Sequence, residues 1–194
     1  ECNMSYEQIS NLCESIENHP RITRVNFGDF EVPVRSLEDL LIKNKNIINI
    51  VDVGANLGMF SIAARISFKN ANIHAYEPNP NNIPILGKHG KEFNFIIYEE
   101  GVGFEAGRGE LTFSTSHDTS ARILNKDEGL IILSNLDTVI HRFKNPKIDL
   151  LKLDCEGAEF EILKNSNALK HVRFLTMEYH LPTKGSEKIL EDLF

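Results

Sequence analysis

Cysteine is scarce. The chain has 194 residues and three cysteines, Cys2, Cys13 and Cys155. An odd number with no CxxC pair and no Cys/His ligand spacing gives neither a disulfide framework nor a zinc site. Reduced, buried thiols in a cytosolic protein are the expectation. Basic residues are outnumbered too: 21 Lys and Arg stand against 28 Asp and Glu, a formal net charge of −7. Without a Lys/Arg cluster there is no electrostatic footprint for nucleic acid. No apolar run approaches the ~20 residues of a membrane-spanning helix, and no leader pattern precedes the first helical stretch. The expected partner is therefore a small-molecule acceptor, with neither nucleic acid nor membrane, and the expected location is the cytoplasm. Internal repeats and low-complexity linkers are missing as well. The sequence does not bear on oligomeric state.

What remains is an ordinary globular composition, 41% hydrophobic, enough for one domain with a real core. Residues 1–46 read as an accessory layer. Ser5 followed by Gln8 makes a capping box, and Ile9, Leu12, Cys13 and Ile16 follow helical spacing, so a helix is expected from Ser5 to Asn18, closed by His19-Pro20. "RITRVNFGDFEVPVRS" reads as two short strands around Gly28-Asp29. Ser36 then caps a short helix, "LEDLLIKN".

Residues 47–194 read differently. "IINIVDV" is apolar on both faces, as a strand covered on both sides must be. Helix "LGMFSIAARISF", strand "NIHAYEP", a helix near 82–93 and strand "FNFIIYEE" follow. Alternation of this kind predicts a doubly wound α/β sheet. "GELTFSTS" and "GLIILS" interrupt it as antiparallel strands around a polar loop. Then strand "KIDLLKLD", helix "EGAEFEILKNS", strand "VRFLTMEYH" and a last helix, Ser186–Phe194, resume it. The expected spatial order of the five parallel strands is 3-2-1-4-5, with the site at the switch point between the first and fourth.

Ligands of such sheets sit beyond the carboxyl ends of the strands. Acids collect there: Asp52, Glu77, Glu99 and Glu100, Asp154, and Glu178 with His180. Strand ends are polar in any fold, but five acid-bearing ends are more than that rule explains. The turn "VDVGANLGMFS" has only Gly54 and Gly58, whereas a dinucleotide turn needs G-x-G-x-x-G to admit a pyrophosphate. Asp52 adds a negative charge that disfavours an anion and favours an amine or sulfonium. Glu77, at the end of the second strand, has the right chemistry for ribose hydroxyls. An adenosine ligand without phosphates satisfies all of this, and S-adenosylmethionine is one.

These residues resemble a known family. "VDVGANLGMFS", "EPNP" at 77–80, "LDTV" at 136–139, "DLLKLDCEGAE" at 149–159 and "EYH" at 178–180 together resemble the FkbM family of S-adenosylmethionine-dependent methyltransferases, over about two-thirds of the chain. The resemblance implies a Rossmann-like class I methyltransferase fold and O-methylation of a hydroxyl, often on a sugar or polyketide product. It implies a methionine-binding turn of Asp52, Gly54, Ala55, Asn56 and Gly58, with Phe60 behind it. Glu77 and Pro78 would hold the ribose, Glu100, Gly101 and Val102 would flank the adenine, and Asp154 and Glu156 would face the methyl group. Two departures stand out. Class I folds normally end in an antiparallel strand hairpin, expected to be absent here, and Glu100-Gly101 replaces the small polar residue and alanine common beside the adenine.

A hydroxyl is a poor nucleophile until its proton leaves, and a general base contributes roughly 10²–10⁴-fold. Asp154, Glu156 and His180 are the candidates, expected on one sheet edge. A divalent metal held by these groups would serve equally by lowering the alcohol pKa; the residues permit one and do not demand one, and no metal ligand is assigned. Glu159 fits a structural role in a helix first turn, Cys155 that of a small filler, and "STSHDTSAR", 114–122, that of a solvated loop. Two alternatives stay open: an S-adenosylmethionine-binding domain without catalysis, and a nicotinamide-dependent oxidoreductase.

Overall fold

The computed structural model describes residues 25–27, 30–32, 46–113, 121–125, 129–155, 158–164 and 167–178. The helix expected over Ser5–Asn18, the short helix after Ser36, the last helix and any C-terminal hairpin lie outside the described residues. Strands β1 (Val25–Phe27) and β2 (Phe30–Val32) pair antiparallel with Phe27 opposite Phe30, as expected of the hairpin.

Five parallel strands make the central sheet: β3 (Asn49–Val53), β4 (Asn72–Tyr76), β5 (Ile96–Tyr98), β10 (Ile148–Leu153) and β11 (Val172–Met177). Their spatial order is β11-β10-β3-β4-β5, which is the expected 3-2-1-4-5. Strands β3 and β10 are buried on both faces because helices cover both. Ile50 and Leu150 pack with Ala64 of helix α1 (Met59–Ser67) and Leu86 of helix α2 (Ile83–Phe93). On the other side Val51, Val53, Leu151 and Leu153 pack with Val139 of helix α3 (Leu136–His141) and Ile162 of helix α4 (Glu159–Lys164). At the amino end of the sheet, buried Asp149 accepts from the amides of Ile48 and Asn49, both at 3.0 Å, and so pins β10 to β3.

The third parallel strand departs from expectation. It stops at Tyr98, and Glu100 opens a separate strand, β6 (Glu100–Gly103). Here β6 leaves the main sheet and pairs parallel with β9 (Ile131–Asn135). The carboxylate of Glu100 holds the join, taking the Ser134 hydroxyl at 2.6 Å and Arg142 at 2.8 Å. A second sheet of order β6-β9-β7-β8 results, with β7 (Gly107–Phe113) and β8 (Ala121–Asn125) antiparallel. The expected antiparallel strands are β7 and β9; β8 begins inside the stretch read as a solvated loop. Helix α3 was not expected either: Asn135 caps it, accepting the Thr138 amide at 2.8 Å.

His74 lies buried on β4 with its ring stacked on Phe143 at 4.0 Å and tilted against Tyr98 at 5.3 Å. Its Nδ1 has no hydrogen-bond partner among the described residues. Burial, helped by the nearby Arg142 charge, lowers its pKa to about 4. The neutral ring is thus the folded form, and unfolding restores a His that protonates near the ordinary value of 6.5. Stability from this residue is complete above that value and is lost as pH falls toward 4. Between pH 7 and 5.5 the fold should lose about 1 kcal/mol through His74. Thermal melts of His74→Phe, which keeps the stack, should show a weaker acid slope than the native protein; an unchanged slope would refute the assignment.

Candidate functional site

Among the described residues, hollows open at both ends of the sheet. The larger, about 900 Å³, lies at the amino ends of the strands, beside Asn49, Asn72, His74 and Asp149. The smaller, about 90 Å³, lies at the carboxyl ends, between β3, β4 and β10. Open α/β sheets bind ligands at the carboxyl ends, where the strand order reverses, and the motif residues gather there. Gly54, Asn56, Glu77, Pro78, Gly101, Val102 and Asp154 line this cleft, with Tyr76, Asn79, Asn82 and Cys155.

The turn after β3 is folded tightly by its own backbone. Gly54 has φ +70°, Asn56 φ +51° and Gly58 φ +88°. Asparagine tolerates that region better than other side chains do. The amides of Gly54 and Ala55 both donate to the carbonyl of Tyr76 at 3.0 Å, and that of Gly58 to Ala55 at 2.7 Å. The Asn56 amide donates to Glu77 Oε2 at 2.7 Å. Four turn amides are therefore committed to protein acceptors, whereas a pyrophosphate-binding turn directs such groups at the phosphate.

Glu77 is a hub. It is 5% exposed. Besides Asn56, it accepts from the Asn79 amide at 2.9 Å and the Asn82 carboxamide at 3.2 Å, both on Oε1. A carboxylate has about four lone-pair sites. Three are taken, so one site on Oε2 is left for a ligand hydroxyl, fewer than the two ribose contacts the sequence suggests. Beside it stands Tyr76, fully buried, with its ring stacked on Tyr98 at 4.7 Å. Burial holds the phenol well above its ordinary pKa, against the opposing effect of Arg142. Its buried hydroxyl has Arg142 as its polar neighbour.

Other expected site residues lie elsewhere. Asp52 does not line the cleft. It is wholly buried under the turn, where Oδ2 receives the Ser61 hydroxyl at 2.7 Å and Oδ1 lies 3.2 Å from Lys152 Nζ. With an ammonium against it, its charge no longer argues against an anionic ligand; the committed turn amides do. Ala55 is buried, Gly58 caps α1 against Leu86, and Phe60 packs into the core on that face. Glu100 is occupied by Arg142 and Ser134, so the wall toward the expected adenine end is Gly101 and Val102. Asp154 is about a third exposed at the cleft and its Oδ2 is 3.4 Å from Lys152 Nζ. Glu156 and His180 lie outside the described residues.

Cys155 is free and lines the cleft. Burial, reinforced by Glu159, pushes its thiol well above the ordinary value, which disfavours the thiolate. Glu159 reaches back to accept the Cys155 amide at 2.8 Å, a structural contact at the start of α4. Among the described residues no three His, Cys, Asp or Glu side chains converge as metal ligands, and none of their helices is long and apolar enough to cross a membrane.

The profile of the Methyltransferase FkbM domain matches residues 52–192. The chain is 31% identical over 148 residues to the hexuronic acid methyltransferase AglP of Haloferax volcanii, a match covering 73% of this chain and 60% of that protein. The chain thus spans about 60% of the length of this curated relative. A crystal structure of methyltransferase FkbM from Methylobacillus flagellatus aligns with a TM-score of 0.49 at 18% identity, over 67% of this chain and 32% of that one.

Proposed function

Because the chain belongs to the FkbM methyltransferase family, we propose that it binds S-adenosylmethionine in the cleft at Glu77 and methylates a hydroxyl of a sugar-like acceptor. The observation that carries this reading is the pairing of Glu77, with one acceptor site left, and a glycine turn whose amides are already committed. Such a wall suits a nucleoside without phosphates. The apolar Val102 and Ala158 on the same wall fit that ligand too. The relative that methylates a hexuronic acid supports the sugar-like acceptor.

The cofactor when bound supplies an activated methyl group, and the protein's own work is to position, desolvate and manage a proton. Glu77 and the 54–58 turn would hold it, with Gly101 and Val102 along its base. Asp154, at the open side of the cleft, would accept a hydrogen bond from the acceptor hydroxyl and so orient it. Orientation of this kind contributes up to roughly 7–11 kcal/mol. Removal of the proton is assigned to Asp154, Glu156 or His180.

A calorimetric titration separates the readings. S-adenosylhomocysteine should bind and NAD should show no heat. NAD binding the more tightly would end the methyltransferase reading and restore the oxidoreductase. Transfer of label from methyl-labelled cofactor to a panel of sugar acids, which a non-catalytic binding domain would not support, tests the reaction itself.

A further inference from the structure

Lys152 is a lysine next to last in the buried strand β10, between Leu151 and Leu153, and it pairs in register with Asp52 of β3. Its side chain is 13% exposed. Four oxygens surround Nζ: the carbonyls of Gly54 at 2.7 Å and Val53 at 3.2 Å, Asp52 Oδ1 at 3.2 Å and Asp154 Oδ2 at 3.4 Å. An ammonium has three donors and no acceptor, so all its capacity is used within the protein. We propose that Lys152 is the positioning residue of the cleft, fixing the carbonyls of the turn after β3, offsetting buried Asp52, and holding Asp154 at the cleft mouth.

The geometry gives it this role rather than that of a base. The nearby carboxylates outweigh desolvation and raise its pKa, so the ammonium stays charged. The charged and titratable groups around it are Asp52 from β3 and Asp154 from the end of β10. Cys155 and Glu159 stand behind Asp154, and Glu178 directly follows the neighbouring β11. Two carboxylates against one ammonium leave one negative charge in the Asp52–Lys152–Asp154 cluster. Asp52 is wholly buried and Asp154 is not, so that charge is presented to the cleft by Asp154. On the proposed reading, on which this point rests, it suits a cofactor with a sulfonium and an amine. Lys152 thereby offsets the charge of Asp52 beneath the turn and fixes the place of the carboxylate that does reach the cleft, Asp154.

Hydrogen exchange in the protein without ligand is the first test. In Lys152→Met the amides of Gly54, Ala55 and Asn56 should exchange at least about tenfold faster, while those of Ile73 to Ala75 on β4 keep their native rates, because the opening is local. S-adenosylhomocysteine affinity should fall at least about tenfold, with a larger effect on KM for the cofactor than on kcat. Lys152→Arg, which keeps the charge, should recover part of both losses. If Lys152→Met does not fold, the double variant Asp52→Asn/Lys152→Met removes the buried charges together and keeps the test alive. Native exchange in the turn, uniform acceleration across the sheet, or native affinity in the folded variant would each overturn the proposal. Should the native protein fail to bind S-adenosylhomocysteine, the proposed function falls, while the exchange measurement still decides the role of Lys152.

Discussion

Gly54→Ala should destabilise the fold and remove cofactor binding together. The residue has φ +70°, a conformation that costs any side chain roughly 1–2 kcal/mol. A Cβ there would also overlap the carbonyl oxygen of Asp154, which is backbone and cannot rotate aside. Relief requires β3 and β10 to part at their carboxyl ends, where the Asp154 amide donates to Val53 at 3.2 Å. Overpacking of a tight interior adds about 1–3 kcal/mol. A total near 3 kcal/mol corresponds to a loss of roughly 6–12 °C in melting temperature for a domain of this size. The comparison variant is Gly87→Ala in the middle of α2, where a Cβ meets nothing within 4 Å. That change should raise stability slightly, since alanine is the better helix former by about 1 kcal/mol. Parallel thermal melts and titrations with S-adenosylhomocysteine would check both. A Gly54→Ala protein that melts and binds like the native one would refute the close approach of the two strands.

Glu77→Gln should cost cofactor affinity by about tenfold to a hundredfold. The amide keeps the size of the carboxylate but has one acceptor oxygen. Whichever way it turns, its NH₂ must face a donor: the Asn56 amide on one side, or the Asn79 amide with the Asn82 carboxamide on the other. An unsatisfied buried donor costs about 1–3 kcal/mol, and a hydrogen bond to a charged group contributes about 1.5–3 kcal/mol. Part of the loss falls on the turn and part on the ligand. KM for the cofactor should rise with kcat changing less, the pattern of lost ground-state binding. Calorimetry on a variant that melts near the native temperature would isolate the ligand's share, and native affinity there would remove Glu77 from the site.

The sheet was legible in the sequence because parallel strands announce themselves. "IINIVDV" is apolar on both faces, the β-α-β-α-β alternation follows it, and the rules of crossover handedness and switch points then leave few orders for five strands. The boundary at Tyr98 was not legible. "FNFIIYEE" runs on without a breaker, and what divides it is the grip of Ser134 and Arg142 on Glu100, from 34 and 42 residues away. Helix α3 was hidden for a similar reason: six residues carry too little periodicity, although Asn135 before Leu136 is a cap signal.

In the cleft, Gly54, Asn56, Glu77 and Asp154 could be read from position alone. Asp52 was mislocated, since a strand-end acid can point up to the ligand or down beneath the turn. The signal that settles its direction was present. A lysine in "DLLKLD" and an aspartate in "IVDV" are charges of opposite sign, each next to last in one of two largely apolar strands. Buried charges must be paired, and adjacent strands offer the pairing. Lys152 was legible on that ground, and it escapes notice only when strand ends are searched for acids alone.

The donors that hold Glu77 come from the turn after β3, the chain after β4 and the residue before α2. All three are fixed by the fold itself, so the acid has no rotamers left to surrender on complex formation. Ordering a side chain at an interface commonly costs about 0.5–1.5 kcal/mol, and at this wall that cost has been met during folding. On the proposed reading, the Glu77 wall of the cleft is shaped before the nucleoside arrives. Ligands that share the nucleoside should associate at similar rates and differ in residence time.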